Sequence, residues 1–102
     1  MQLIDKQLLD KVSTLAKENT RLRMNYNFHD QLDAPAQRLL NALEHGTELP
    51  IHRHTHTAET YILLRGKIRV IFYGENREET ESVFLDPAIG NYGINIPAGT
   101  WH

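Results

Sequence analysis

Several features are missing from this chain. Its 102 residues include no cysteine, which excludes a disulfide framework, a thiolate zinc site and a thiol nucleophile. No apolar run approaches the roughly 20 residues that a membrane-spanning helix needs. The N-terminal residues do not show the basic segment followed by an apolar segment that is typical of a secretory signal. We therefore expect a cytoplasmic protein that does not enter a membrane.

An excess of charge of one sign is also absent. The formal net charge is -2, and acidic and basic residues are interspersed. A nucleic-acid partner requires a basic stripe or patch, so we expect none. Hydrophobic residues make up 40% of the chain and charged residues 24%, which is ordinary globular usage. The length suits one domain, and we expect a single domain over residues 1–102.

The spacing of apolar residues predicts a helix followed by strands. A period of three to four covers residues 3–18 and indicates an amphipathic helix whose apolar stripe packs on the domain. Asp5 suits its N-terminus, and Asn19 is a plausible end. The stripe consists of Ile4, Leu8, Val12 and Leu15.

From residue 21 onwards the chain has the pattern of a β protein. Apolar residues of the segment 22–28 alternate with Arg23, Asn25, Asn27 and His29, which indicates a strand with one polar face. Further short segments rich in strand formers are separated by Gly and Pro turns, which favours a sandwich or barrel over 21–102. These segments are 60–64, 68–73, 82–85 and 91–96. Residues 37–44 fit a helix or a strand equally well.

Histidine is unusually frequent, with six residues in the chain, and three of them lie close together. His52 and His54 are two positions apart, so on an extended strand both imidazoles project from one face. Their Cβ atoms would then lie roughly 6–7 Å apart, a distance that two imidazoles can close onto one ion. His56 lies in the following loop, where we expect it to be solvated, and we expect His45 at the surface.

Glu59 completes the predicted metal site. It lies five residues after His54, an offset that requires the chain to turn so that Glu59 begins the returning strand opposite the histidine pair. Two neutral imidazoles and one carboxylate suit Fe, Mn, Ni, Co or Zn, with coordination positions left open. We therefore predict one divalent metal ion as cofactor.

The glycines around this cluster complete a known motif. Gly46, His52, His54, Glu59 and Gly66 match every fixed position of the first signature motif of the cupin superfamily. The final segment, 97–102, resembles the centre of the second cupin motif. The leading glycine of that motif is one residue out of place, and its closing Asn is absent.

Over nearly its whole length the chain resembles the WbuC family of cupin-fold metalloproteins. The segments that carry the resemblance are 3–5, 22–29, 37–44 and 97–102. It implies a mainly β fold, a cupin double-stranded β-helix or jelly-roll barrel with an N-terminal α-helix. It makes 37–44 a strand and adds His102 to His52, His54 and Glu59 as a metal ligand. The resemblance also implies a link to bacterial polysaccharide or O-antigen metabolism.

Two functions remain open at this point. One is a metal-dependent enzyme, an isomerase, epimerase, hydrolase or dioxygenase, that acts on a sugar or sugar derivative. Tyr61 and His29 are its candidates for acid–base catalysis, and the polar face Arg23, Asn25, Asn27 and His29 either lies at the barrel mouth or faces solvent. The other is a non-catalytic module that binds a metal or a sugar.

The position of His102 at the end of the sequence carries a further expectation. The barrel implied by the resemblance continues past this histidine into strands that close the sheet, so we expect C-terminal strands to be missing from this sequence. If the natural chain instead stops at His102, a sheet edge is left open, which invites pairing with another protomer. We expect a homodimer.

Overall fold

A computed structural model describes all residues from 1 to 102. The chain forms one α-helix and six strands, and the strands form three antiparallel sheets of two strands each. The expected mainly β fold with an N-terminal helix is confirmed. The strands do not close into a barrel, because the three two-stranded ladders stay separate. The chain divides into two compact units, Met1–Leu49 and Pro50–His102.

The helix α1 spans Lys6–Glu18 and begins three residues later than the sequence pattern suggests. The reason is Asp5, whose side chain accepts a hydrogen bond from the backbone N–H of Leu8 at 2.9 Å and caps the helix. The helix ends at Asn19, as predicted. Its buried residues are Leu8, Val12 and Ala16, whereas Ile4 and Leu15 are exposed.

A hairpin completes the first unit. Strand β1 (Arg23–Asn27) pairs with β2 (Leu39–Leu43), so the segment 37–44 contains a strand, as the family resemblance implies. Helix α1 packs on this hairpin. Side chains alternate between two faces along both strands. One face carries the half-buried residues Met24, Tyr26, Leu40 and Ala42, and the other carries the paired Asn25 and Asn41.

The second unit consists of two strand pairs around one apolar cluster. Strand β3 (Glu59–Ile62) pairs with β6 (Gly93–Ile96), and β4 (Ile68–Tyr73) pairs with β5 (Glu79–Leu85). The strand β5 begins three residues earlier than predicted, which shortens the preceding loop. The core consists of Val70, Leu85 and Ile96, and burying a side chain of this kind contributes about 1.5–3 kcal/mol.

The length and polarity of the helix decide whether it could cross a membrane. α1 has 13 residues, and it is neither long enough nor apolar enough to span a bilayer.

Candidate metal centre

The predicted ligands His52 and His102 are joined through their backbones. The N–H of each residue donates a hydrogen bond to the carbonyl oxygen of the other, and both N···O distances are 2.9 Å. This reciprocal pair is the unit of an antiparallel ladder. The N–H of Gly99 also donates to the carbonyl of His54 at 2.7 Å. The segment 52–54 is therefore paired with the segment 99–102, although neither has an assigned strand.

A turn brings the second segment into this position. The N–H of Thr100 donates to the carbonyl of Pro97, and Gly99 between them has a φ of 82°. A positive φ at the third position is typical of a type II turn, and glycine adopts it without strain. The Pro-Ala-Gly sequence that predicted a tight turn thus places the ring of His102 against that of His52, with 4.4 Å between the ring centroids.

Backbone carbonyls fix the orientation of both imidazoles. Nδ1 of His52 lies 3.1 Å from the carbonyl oxygen of Pro50, and Nδ1 of His102 lies 2.9 Å from that of Thr100. Because a carbonyl oxygen can only accept a hydrogen bond, each Nδ1 carries the proton and donates it. Each neutral imidazole then keeps a lone pair on Nε2. Metal-binding histidines are held in this way in most metalloproteins.

Glu59, the first residue of β3, supplies the carboxylate. One ligand atom each from His52, Glu59 and His102 lies within 4.8 Å of the other two, and all three residues are half-buried. Nε2 of His102 is 3.3 Å from Oε2 of Glu59. Two imidazole lone pairs and a carboxylate all accept hydrogen bonds, so this group of atoms offers a cation three donor atoms.

His54 is placed differently from the other predicted ligands. Its Nε2 contacts Oε1 of Glu59, and its ring stands nearly perpendicular to that of His52, with 5.3 Å between centroids. It is not part of the compact group of three. The structure therefore brings all four predicted residues together, with His54 more exposed and on the far side of the carboxylate.

Tyr61 hydrogen-bonds to the carboxylate from the neighbouring position on β3. Its hydroxyl donates to Oε2 of Glu59 at 2.5 Å and lies 3.2 Å from Nε2 of His102. Burial raises the pKa of Tyr61, and the bonded carboxylate with its negative charge raises the pKa further. The phenol therefore stays protonated and acts as a donor.

Opposing effects act on the carboxylate itself. Burial raises the pKa of Glu59, but the hydrogen bond from Tyr61 and the positive charge of His54 and His102 when protonated lower it. The lowering effects together are larger, so the pKa of Glu59 lies below its ordinary value of 4.5. Glu59 is thus ionised at neutral pH.

The reverse side of the paired segments carries a contact that the sequence analysis did not identify. The guanidinium carbon of Arg53 lies 4.5 Å from the centroid of the Trp101 ring, which is within cation–π range. Arg53 also forms an ion pair with Glu75 at 3.6 Å. Alternation along the sequence could have indicated this contact, because Arg53 lies between two predicted ligand histidines and Trp101 precedes the third.

The remaining candidates are not among the residues that form this centre. His29 belongs to the first compact unit, where its Nδ1 lies 3.2 Å from the backbone N–H of Arg38, which donates to it. His45 also belongs to that unit, and His45 and His56 are both exposed, as predicted. In the first unit the side chain of Arg23 donates to the carbonyl of Glu48 at 2.8 Å.

Comparison with known proteins identifies the family of the chain. Residues 4–85 match the model of a family described as a domain of unknown function, DUF6016, and the chain belongs to this family. The matched range includes His52, His54 and Glu59 and ends before His102. Searches of the curated proteins and of the solved structures found no match.

Proposed function

We propose that this protein binds one divalent metal ion, Fe, Mn, Ni, Co or Zn, through His52, Glu59 and His102. The observation that carries the proposal is the convergence of two imidazoles and one carboxylate within 4.8 Å. Two His and one carboxylate form a set that holds such ions with open coordination positions. His54, on the other carboxylate oxygen, is close enough to the group to serve as a fourth donor.

The chemistry of the donor set supports a cation at this position. Nε2 of His102 and Oε2 of Glu59 are 3.3 Å apart, and the carbonyl of Thr100 already takes the Nδ1 proton of the histidine. Two acceptors that face each other at this distance need a proton or a metal ion between them. The Pro50 and Thr100 carbonyls that hold the Nδ1 atoms of His52 and His102 are partners of the kind that metal-binding histidines usually have.

We further propose that the second unit is the core of a cupin jelly roll, as part of a single WbuC-type cupin domain. Support comes from the order in which backbone hydrogen bonds join its segments. Residues 52–54 pair with 99–102, Trp101 bridges to Tyr73 at the end of β4, and β4 pairs with β5. This order gives four adjacent extended segments, and His52, His54 and His102 of the cupin motifs lie on the first two.

The function that we propose for this centre is catalysis on a small oxygen-rich molecule, a sugar or sugar derivative of bacterial polysaccharide or O-antigen metabolism. A bound divalent ion supplies Lewis-acid chemistry for isomerisation, epimerisation or hydrolysis, or dioxygen activation with Fe(II). The protein supplies the anchored imidazoles and a carboxylate that is ionised at neutral pH. The substrate class rests on the family resemblance. The cytoplasmic location and the homodimer stay predictions.

A second candidate function is a non-catalytic module that binds a metal or a sugar. One observation favours it: the titratable groups at the centre are engaged with each other. The Tyr61 hydroxyl donates to Glu59, and His54 contacts the other oxygen of the same carboxylate. A general acid or base would have to be freed from these contacts before it could act on a substrate.

Metal content tests the proposal directly. Protein purified without chelator, or stripped and reloaded with Co²⁺, should hold about one metal ion per chain by elemental analysis. His52→Ala should lose the ion, while His56→Ala should keep it, because His56 is an exposed histidine of the same loop outside the group of ligands. Equal metal content in the two variants, or no metal in the wild type, would overturn the proposal.

If the wild-type protein binds metal, substrate assays separate the two candidate functions. Sugars, nucleotide sugars and sugar acids are incubated with the metal-loaded protein, and the mixture is followed by NMR. Turnover that His52→Ala lacks supports the enzyme. Sugar binding without turnover, measured by calorimetry, supports the binding module.

A further inference from the structure

Tyr61 occupies a central position among the polar atoms of the centre. It follows Glu59 by two residues on β3, so both side chains project from the same face of the strand. Its hydroxyl oxygen lies 2.5 Å from Oε2 of Glu59 and 3.2 Å from Nε2 of His102. The ring is half-buried beside the apolar cluster of the second unit, which holds the phenol in place.

The single hydroxyl hydrogen has two acceptors to choose between. Nδ1 of His102 donates to the carbonyl of Thr100, which leaves Nε2 as an acceptor in the neutral ring. The carboxylate of Glu59 is the closer acceptor and carries a charge, and charge-assisted hydrogen bonds are shorter and stronger than neutral ones. The hydrogen therefore belongs to the Tyr61–Glu59 contact.

This contact restricts the terminal torsion of the Glu59 side chain, about which the carboxylate would otherwise rotate. The terminal torsion of a glutamate has a broad energy profile, so the carboxylate plane rotates easily unless hydrogen bonds hold it. Tyr61 holds Oε2, and His54 contacts Oε1 from the other side. With both oxygens engaged, the plane of the carboxylate is fixed relative to the rings of His52 and His102.

We infer that Tyr61 is a positioning residue of the metal centre, which orients the Glu59 carboxylate toward the ion through the hydrogen bond of its hydroxyl. This inference rests on the proposed function and assigns Tyr61 a role other than acid–base catalysis. Groups that hold a metal ligand from outside typically change metal affinity by about 10- to 100-fold when they are removed.

The test is Tyr61→Phe, which removes one oxygen and keeps the ring. The metal used is Co²⁺, whose visible absorption spectrum reports the arrangement of its ligands. Tyr61→Phe should bind Co²⁺ about 10- to 100-fold more weakly than the wild type, with an altered spectrum. Tyr92→Phe is the matched control, because Tyr92 lies in the same unit and is 61% exposed. It should match the wild type in both respects.

The outcomes separate this inference from the proposed function. Absence of Co²⁺ binding to the wild type overturns the proposed function. If the wild type binds Co²⁺ and Tyr61→Phe binds it with the same affinity and spectrum, the inference alone is overturned. Lower thermal stability of Tyr61→Phe with an unchanged spectrum and affinity shows a merely structural role and also overturns it.

A second measurement covers the case in which Tyr61→Phe does not fold. The wild-type chain, with its four tyrosines, is labelled with 3-fluorotyrosine and followed by ¹⁹F NMR. Phe variants of the other three tyrosines assign the Tyr61 resonance by elimination. Addition of Zn²⁺ should shift this resonance and leave that of Tyr92 in place. A Tyr61 resonance that does not move when Zn²⁺ binds would contradict the inference.

Discussion

The N–H groups of His52 and His102 each donate to the carbonyl oxygen of the other residue at 2.9 Å, although the two histidines are far apart in the sequence. This pairing sets two imidazole rings on one face, where the carboxylate of Glu59 faces Nε2 of His102. The proposed metal centre therefore depends on backbone pairing between two segments as much as on the identity of the side chains.

The ligands should differ in importance. His52→Ala or His102→Ala removes a member of the compact group of three and should lower Co²⁺ affinity more than 100-fold. His54→Ala removes a residue outside the compact group of three that contacts the other oxygen of Glu59, and we expect a smaller loss, about 10- to 100-fold, which is the range for groups that support a metal ligand. Isothermal titration calorimetry measures these affinities. A larger loss for His54→Ala than for His52→Ala would show that His54 is a primary ligand.

The stability of the metal-free protein should depend on the ionisation of Glu59. The pKa of Glu59 is below 4.5 in the folded protein. The ionised carboxylate therefore stabilises the fold at pH values above the pKa of the unfolded chain. This contribution is lost as the pH falls through the lower pKa of the folded protein. Glu59→Gln lacks this contribution. In urea denaturation with chelator present, the difference between wild type and Glu59→Gln should shrink between pH 6 and pH 3.

Two results of that titration would contradict a lowered pKa of Glu59 in the folded protein. A difference that stays constant with pH would show that Glu59 has the same pKa in the folded and unfolded states. A difference that grows toward pH 3 would show a raised pKa, which would mean that burial outweighs the hydrogen bond from Tyr61.

The contact between Arg53 and Trp101 should contribute to the stability of the paired segments. An exposed cation–π contact is worth about 0.5–1 kcal/mol, so Arg53→Ala should lower the free energy of unfolding by about that amount. The ion pair with Glu75 is long and solvated, and such pairs contribute about 0–1 kcal/mol. Glu75→Gln should therefore cost less than Arg53→Ala. Equal losses in urea denaturation would assign the stabilisation to the ion pair.

Local sequence signals predicted much of the fold. The period of three to four located α1, and the side chain of Asp5 explains why the helix begins at Lys6 instead of residue 3. Alternation located β1, and the strand-forming segments 68–73 and 91–96 located β4 and β6 to within a few residues. The segment 37–44 was ambiguous because its residues suit both states, and its pairing with β1 made it a strand. Such tertiary pairing is not encoded in local propensity.

The site was predictable in composition but not in detail. Spacing alone indicated that His52 and His54 share a face and that Glu59 lies on a returning strand. The distinction between His54 and the compact group of three depends on side-chain orientation, which spacing does not give. The Pro50 and Thr100 carbonyls that hold the imidazoles were also beyond prediction, because any residue type supplies a carbonyl.

The most direct test of the metal centre is an anomalous difference map from crystals of the protein loaded with Co²⁺, recorded at the cobalt absorption edge. The proposal predicts one peak per chain, within bonding distance of Nε2 of His52, Nε2 of His102 and a carboxylate oxygen of Glu59. A map without a peak, or with a peak that these three residues do not bind, would contradict it.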